Sequence, residues 1–217
     1  MTRRGGEIEG ELSRSDLLVK AAGAAGALYG LGALGPHVRA AMAASDRDVG
    51  LLNFMLWFEY MQATLYGRGL SELNVKGEKM PLKSEEKDLF EMLLAQERQH
   101  IAAVRETIEK LGGKPKREDQ SEFAFSFRVF ETLLQLAGVV ESAAVGAYNG
   151  AIPLLKSEEA RELAFSIVQV EGRHAALVSI RNGEEPALEA FDLGLNKESA
   201  IAVTEQFTGA FLTGVFQ

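Results

Sequence analysis

The chain has 217 residues, a net charge of −8 from 31 acidic and 23 basic side chains, and no cysteine. That length allows one domain with appendages and a sizeable core, and the acidic balance argues against a nucleic-acid surface. The lack of cysteine excludes disulfides, thiolate metal sites and cysteine-ligated iron–sulfur clusters.

Residues 1–45 differ from the rest of the chain. A polar, charged stretch (1–16) precedes a small, apolar, glycine-rich run (21–35), and Ala41-Met42-Ala43-Ala44 then offers small residues before Ser45. This is the three-part plan of an export signal, and the run is too short and too rich in glycine to be a good membrane span. The stretch Ser13-Arg14-Ser15-Asp16-Leu17-Leu18-Val19-Lys20 resembles a twin-arginine signal with Ser15 in place of the second arginine; the real pair, Arg3-Arg4, lies far upstream. The expectation is export to the periplasm, envelope or exterior by a degenerate signal, with membrane attachment only through residues 17–35 if the segment is retained. The alternative is a cytoplasmic protein with an alanine-rich helix packed on its domain. His37, beside Pro36, is expected to face solvent.

Residues 46–183 carry four stretches with helical spacing of apolar residues. The first, 46–70, is expected to be capped by Ser45 or Asp46, with Asp48 in its first turn, and to end at Gly67 and Gly69. Its stripe of Val49, Leu52, Leu56, Ala63 and Tyr66 includes Glu59. After a connection over 71–83, Ser84 is the expected cap of a second helix running to Leu111, with an incomplete capping box because Lys87 stands third. Its stripe contains Glu97 and His100. Residues 112–122 are polar, and extended chain to about residue 125 would span roughly 40 Å at about 3.3 Å per residue. The second helix has a similar length at about 1.5 Å per residue, so this connection can cross a whole bundle. A third helix over about 125–150 carries Phe127, Phe130, Leu134, Ala137, Glu141, Val145 and Tyr148 on one face. Ser157 caps a fourth, with Leu163, Ile167, Glu171, His174 and Val178, ending at Asn182-Gly183. Residues 184–217 form an extension with a last helix at about 197–213, capped by Asn196 and packed outside the bundle or on a partner subunit.

One pattern is stated twice. Glu59 is followed by Glu97-x-x-His100, and Glu141 by Glu171-x-x-His174; each lone glutamate has a tyrosine seven residues on, Tyr66 and Tyr148. Glu-x-x-His puts a carboxylate and an imidazole on one helical face, one turn apart. A single such pair is more often a solvated surface pair. Here both pairs and both lone glutamates fall on apolar faces near mid-helix, where a carboxylate is costly unless paired or metal-bound. Two Glu-x-x-His pairs with two single glutamates are the ligand arrangement of di-iron and di-manganese carboxylate bundles. Glu97 and Glu171 are the better bridging candidates, with Glu59 and Glu141 terminal. Tyr66 and Tyr148 either hydrogen-bond ligand carboxylates across the bundle or donate electrons, or are core aromatics whose hydroxyls are satisfied elsewhere. Arg98 and Arg173 are read equally as partners of the ligands or as solvated ion pairs, and Trp57 as a packing residue.

At the stretches LLNFMLWFEYMQATLYGRGL (51–70), LAQERQHIAAVRETIEKLGG (94–113), VVESAAVGAYNGAIPLL (139–155) and VEGRHAALVSIRNG (170–183), the chain resembles the ferritin-like superfamily. It is most similar to the bacterial ferritin-like domain family that includes desiccation-related proteins. The resemblance implies an all-α, ferritin-like four-helix bundle with a long crossover between helices 2 and 3. It also implies a dinuclear site at the six positions above, iron first and manganese second. Fe(II), O2 or peroxide would be its partners, homo-oligomerisation is compatible with it, and no nucleic acid is involved. It does not select one activity, because relatives of the fold include ferroxidases, manganese catalases, peroxidases and oxygenases. The leading expectation is a di-iron, stress-protective oxidoreductase. The alternatives are a manganese catalase and a non-catalytic metal-binding or desiccation-protective envelope protein.

Overall fold

The computed structural model describes residues 36–73, 76–118, 123, 125, 127–187 and 189–208, with side chains between 43 and 203. The chain divides into two units, Met1–Ala44 and Ser45–Gln217. The expected export segment up to residue 35, and the side chain of His37, lie outside the described residues. No helix among the described residues is long and apolar enough to cross a membrane.

The elements are all helical: α1 (Pro36–Leu70), α2 (Ser84–Lys110), α3 (Phe130–Ala151), a 3-10 turn (Ile152–Leu154), α4 (Glu158–Asn182) and α5 (Lys197–Thr208). Three boundaries differ from expectation. Helix α1 starts at Pro36, ahead of the expected cap at Ser45 or Asp46. Proline suits a first helical turn, and Ala40-Ala41-Met42-Ala43-Ala44 is a run of strong helix formers. Ser45, an expected cap, and Asp48, expected in the first turn, serve tertiary contacts instead. Ser45 Oγ donates to the Leu111 carbonyl at 2.8 Å, and buried Asp48 accepts the N–H groups of Lys156 and Ser157. In α2 the cap is Lys83, not Ser84, and Glu86 accepts the Lys83 N–H at 2.7 Å, so the glutamate half of a capping box is present after all. Helix α3 starts at Phe130, not near 125. Phe123, Phe125 and Phe127, two residues apart, are 5%, 3% and 3% exposed. Alternate residues pointing to one side is the period of extended chain, so Phe127 belongs to the crossover and not to the helical stripe.

The other caps are as expected. Ser157 Oγ accepts the Ala160 N–H at 3.2 Å, Gly183 ends α4 at φ 76°, and Asn196 Oδ1 accepts the Ser199 N–H at 2.8 Å. Helix α5 is described as far as Thr208.

Contacts at the helix ends fix the directions. Ser45, early in α1, meets Leu111 just past α2, while Tyr66 packs on Phe90 with ring centroids 5.1 Å apart, so α1 and α2 are antiparallel. Lys110 at the end of α2 bonds Glu159 at the start of α4 at 3.0 Å, and Arg181 approaches Glu85 at 3.8 Å. Asn182 at the end of α4 donates to the Leu134 carbonyl near the start of α3. Helices α2 and α3 are therefore both antiparallel to α4 and parallel to each other. Such a pair needs a connection that returns along the full bundle. That connection lies along α1: Asn53 bonds the Lys114 carbonyl and the Lys116 N–H, the Tyr60 hydroxyl donates to the Lys116 carbonyl, Trp57 packs on Phe123, and Arg68 lies 6.0 Å over the Phe125 ring. Trp57 is thus a packing residue.

The stretch before α5 is seated on α3. The Leu195 N–H donates to the Gly146 carbonyl at 2.8 Å. A Cβ at Gly150 would lie 1.9 Å from the Leu195 carbonyl oxygen, so only glycine admits this approach.

Asp48 is 1% exposed and satisfies the N–H groups that open α4. Asp48→Ala leaves those donors unpaired and is expected to lower stability by about 1–3 kcal/mol, measured by urea unfolding; an unchanged midpoint would contradict this role.

Candidate metal centre

Each helix of the bundle sends polar side chains into an otherwise apolar core. Helix α1 contributes Glu59, Gln62 and Tyr66, at spacings of three and four that share one face; α3 contributes Glu141 and Tyr148. Helices α2 and α4 contribute Glu97 with His100 and Glu171 with His174. All four glutamates are 0% exposed, and His100 and His174 are 9% and 3% exposed. The structure thus brings together all six side chains singled out by the doubled pattern.

They form two overlapping groups whose ligand atoms lie within 4.8 Å of one another: Glu59, Glu97, His100 and Glu171, and Glu97, Glu141, Glu171 and His174. Glu97 and Glu171 belong to both. The imidazoles flank the cluster, 6.0 Å apart between ring centroids. His100 Nδ1 is 3.2 Å from Glu59 Oε2, 3.2 Å from Glu97 Oε2 and 3.0 Å from Glu171 Oε1. His174 Nδ1 is 2.9 Å from Glu97 Oε1.

Both tyrosines reach across the bundle to the other half's lone glutamate. Tyr148 donates to Glu59 and Tyr66 donates to Glu141. Of the two alternatives for these residues, the hydroxyls satisfied elsewhere are set aside by the geometry. Arg98 and Arg173 are exposed.

Two contributors were missed from sequence. Gln62 is 0% exposed, and its Nε2 donates to Glu141 Oε2 at 3.0 Å and to Glu171 Oε2. Its place three residues after Glu59, on the same stripe, was a usable signal. Gln96 Oε1 lies 2.7 Å from His174 Nε2. It carries no such signal, because it lies about 100° around α2 from its neighbour Glu97.

The donor set fits a cation. With Nε2–H donated to Gln96, His174 Nδ1 presents its lone pair toward Glu97 Oε1. His174 Nδ1, Glu97 Oε1, Glu171 Oε1 and Gln62 Oε1 are all buried without a hydrogen-bond partner. Such atoms are costly in a core, and a positive charge between them removes the cost. Carboxylates with neutral imidazole suit iron, manganese or zinc.

Protons compete with a cation for the same atoms, and His100 must give up its proton to become a ligand. Burial, then the charge of Glu171, raises the Glu97 carboxyl to about 7. Burial and the Glu171 charge also push Glu59 and Glu141 well above the usual carboxylate range. Burial opposes a charged His100, but the close carboxylates of Glu171, Glu59 and Glu97 outweigh it and raise the imidazole to about 12. Burial lowers His174, which keeps it neutral. Burial and the neighbouring carboxylates Glu141 and Glu59 raise Tyr66 and Tyr148 respectively, so both phenols stay protonated.

A family model described as a ferritin-like domain matches residues 47–184. No curated protein matches the chain.

Carboxyls held up in pKa must lose protons before they bind a cation, so metal competes with protons at this cluster. Metal affinity is expected to fall as pH drops through about 7, where Glu97 takes up its proton, and binding is expected to release protons. Calorimetric titration in two buffers of different ionisation enthalpy measures this; a pH-independent affinity with no proton release would contradict it.

Proposed function

Because the chain belongs to the ferritin-like domain family, we propose that it is an oxidoreductase with a dinuclear metal centre, iron before manganese, that oxidises Fe(II) or consumes peroxide or O2 in protection against stress. The observation that carries this reading is the buried cluster of four carboxylates and two imidazoles with orphaned ligand atoms. Glu97 and Glu171, common to both groups, would bridge; Glu59 with His100, and Glu141 with His174, would be the terminal ligands. When bound, the metal pair supplies the redox chemistry and the open positions at which O2 or peroxide reacts.

The chain's own residues would do the rest. Six protein ligands leave room for a small reactant, and the surrounding core excludes bulk water. Tyr66 and Tyr148 orient Glu141 and Glu59 by hydrogen bonds. Each phenol donates to a carboxylate, so a tyrosine that passes an electron to the oxidant, O2 or peroxide, has an acceptor at hand for its proton. Residues 1–45 extend the proposal to a site of action outside the cytoplasm.

The test is anaerobic loading with Fe(II), elemental analysis, and exposure to O2 or peroxide while consumption is followed. Steady turnover is expected, and Glu97→Ala, which removes a ligand from both groups, is expected to abolish it. Oxygen release from peroxide by the manganese-loaded protein alone would favour a manganese catalase. Stoichiometric binding without turnover would favour a non-catalytic metal protein. A protein that binds no metal and is stabilised by Glu59→Leu would overturn the centre itself.

A further inference from the structure

The two halves of the bundle repeat each other in their ligands and tyrosines, and they differ in what holds those ligands. Three residues after Glu59 stands Gln62; three residues after Glu141 stands Ala144. One residue before Glu97 stands Gln96; one residue before Glu171 stands Val170. Alanine and valine side chains make no hydrogen bonds, so neither counterpart can do what the glutamine does.

Both glutamines serve the same side of the cluster. Gln62 crosses from α1 to bond Glu141 and Glu171, and Gln96 reaches His174 from α2. Glu141, Glu171 and His174 are three of the four members of one group. Among the described residues, no side chain bonds His100 Nε2 as Gln96 bonds His174 Nε2. The His100 side chain is also the more exposed, at 11% against 3%. The tyrosines do not offset this difference, because Tyr66 and Tyr148 each support one lone glutamate.

A hydrogen bond to the far nitrogen of a ligand imidazole fixes its tautomer and orientation and raises its basicity; losing such a partner typically costs about 10–100-fold in metal affinity. Resting on the metal-centre reading above, we propose that the two metal positions are inequivalent. The Glu141–His174 position, supported by Gln62 and Gln96, retains its ion. The Glu59–His100 position is the weaker, exchangeable one, from which an ion enters and leaves. Gln62 and Gln96 are positioning residues: they act through Glu141, Glu171 and His174. The buried, unpartnered Gln62 Oε1 adds a neutral oxygen donor at the side chain that already touches two of these ligands.

The experiment is an anaerobic calorimetric titration of the metal-free full chain with Mn(II), followed in parallel by the electron paramagnetic resonance of the added ion. The expected result is two steps of one ion each, separated by about 10–100-fold in affinity, with an uncoupled Mn(II) signal after the first equivalent. Gln96→Val and Gln62→Ala, which copy the other half, are expected each to weaken the first step, and the double variant to merge the two. Glu59→Gln is expected to keep the tight step, and Glu141→Gln to remove it. Gln62→Leu, closer in volume, replaces Gln62→Ala if circular dichroism shows that the smaller residue unfolds the chain. Two ions of equal affinity, unaffected by either glutamine variant, would overturn the inequivalence while leaving the metal centre standing. A tight step lost in Glu59→Gln but kept in Glu141→Gln would overturn the assignment of sides. Failure to bind any ion would instead sink the centre, a distinct outcome.

Discussion

Four carboxylates share one buried cluster, and the rest of the molecule is arranged around making that tolerable. Removing a single carboxylate from water is costly unless it is paired, hydrogen-bonded or bound to a cation. Here Glu59, Glu97, Glu141 and Glu171 are all fully buried, and Glu97 and Glu171 lie within reach of both Glu59 and Glu141. The protein groups meet part of the demand through two tyrosine hydroxyls, one glutamine amide and the His100 imidazole at Glu59 and Glu97. They leave lone pairs on Glu97, Glu171 and His174 without partners. Those lone pairs are where a cation would be held.

That concentration of charge needs a rigid frame, and the frame is set by polar contacts at the helix ends as much as by the apolar core. Asp48 ties the body of α1 to the start of α4, and Asn53 and Tyr60 fasten the beginning of the crossover to α1. The crossover then continues along α1 through Phe123 and Phe125 to Arg68. The connection is thus a packed layer over the helix that supplies Glu59 and Tyr66.

The clustered side chains were legible in the sequence because a glutamate on an apolar helical stripe contradicts its surroundings, and four contradictions at matching places form a pattern. The crossover was legible from its length and polarity, but its end was misread. Phe127 and Phe130 are three apart and mimic a helical face, while the competing two-residue spacing of Phe123, Phe125 and Phe127 was the signal that the fold obeys. The start of α1 was misread for a related reason. Ser45 and Asp48 have the chemistry of capping residues, and nothing local reveals that their partners are Leu111, Lys156 and Ser157, more than 60 residues away. Gln96 could not be found at all, since its role depends on which helix lies beside α2.

The crossed tyrosines have a consequence for how the chain could be divided. Helices α1 and α2 together hold three of the six clustered carboxylate and imidazole side chains and a tyrosine whose acceptor is on the other hairpin; α3 and α4 hold the matching three and the reciprocal tyrosine. Neither hairpin is self-sufficient, yet two copies of either one, related by a twofold axis, would supply every ligand and close both tyrosine contacts. The arrangement of these residues is therefore that of two matching hairpins within a single polypeptide. The covalent link frees each half to mutate by itself, and the unmatched glutamines at 62 and 96 are departures that an identical pair could not have made on one side alone.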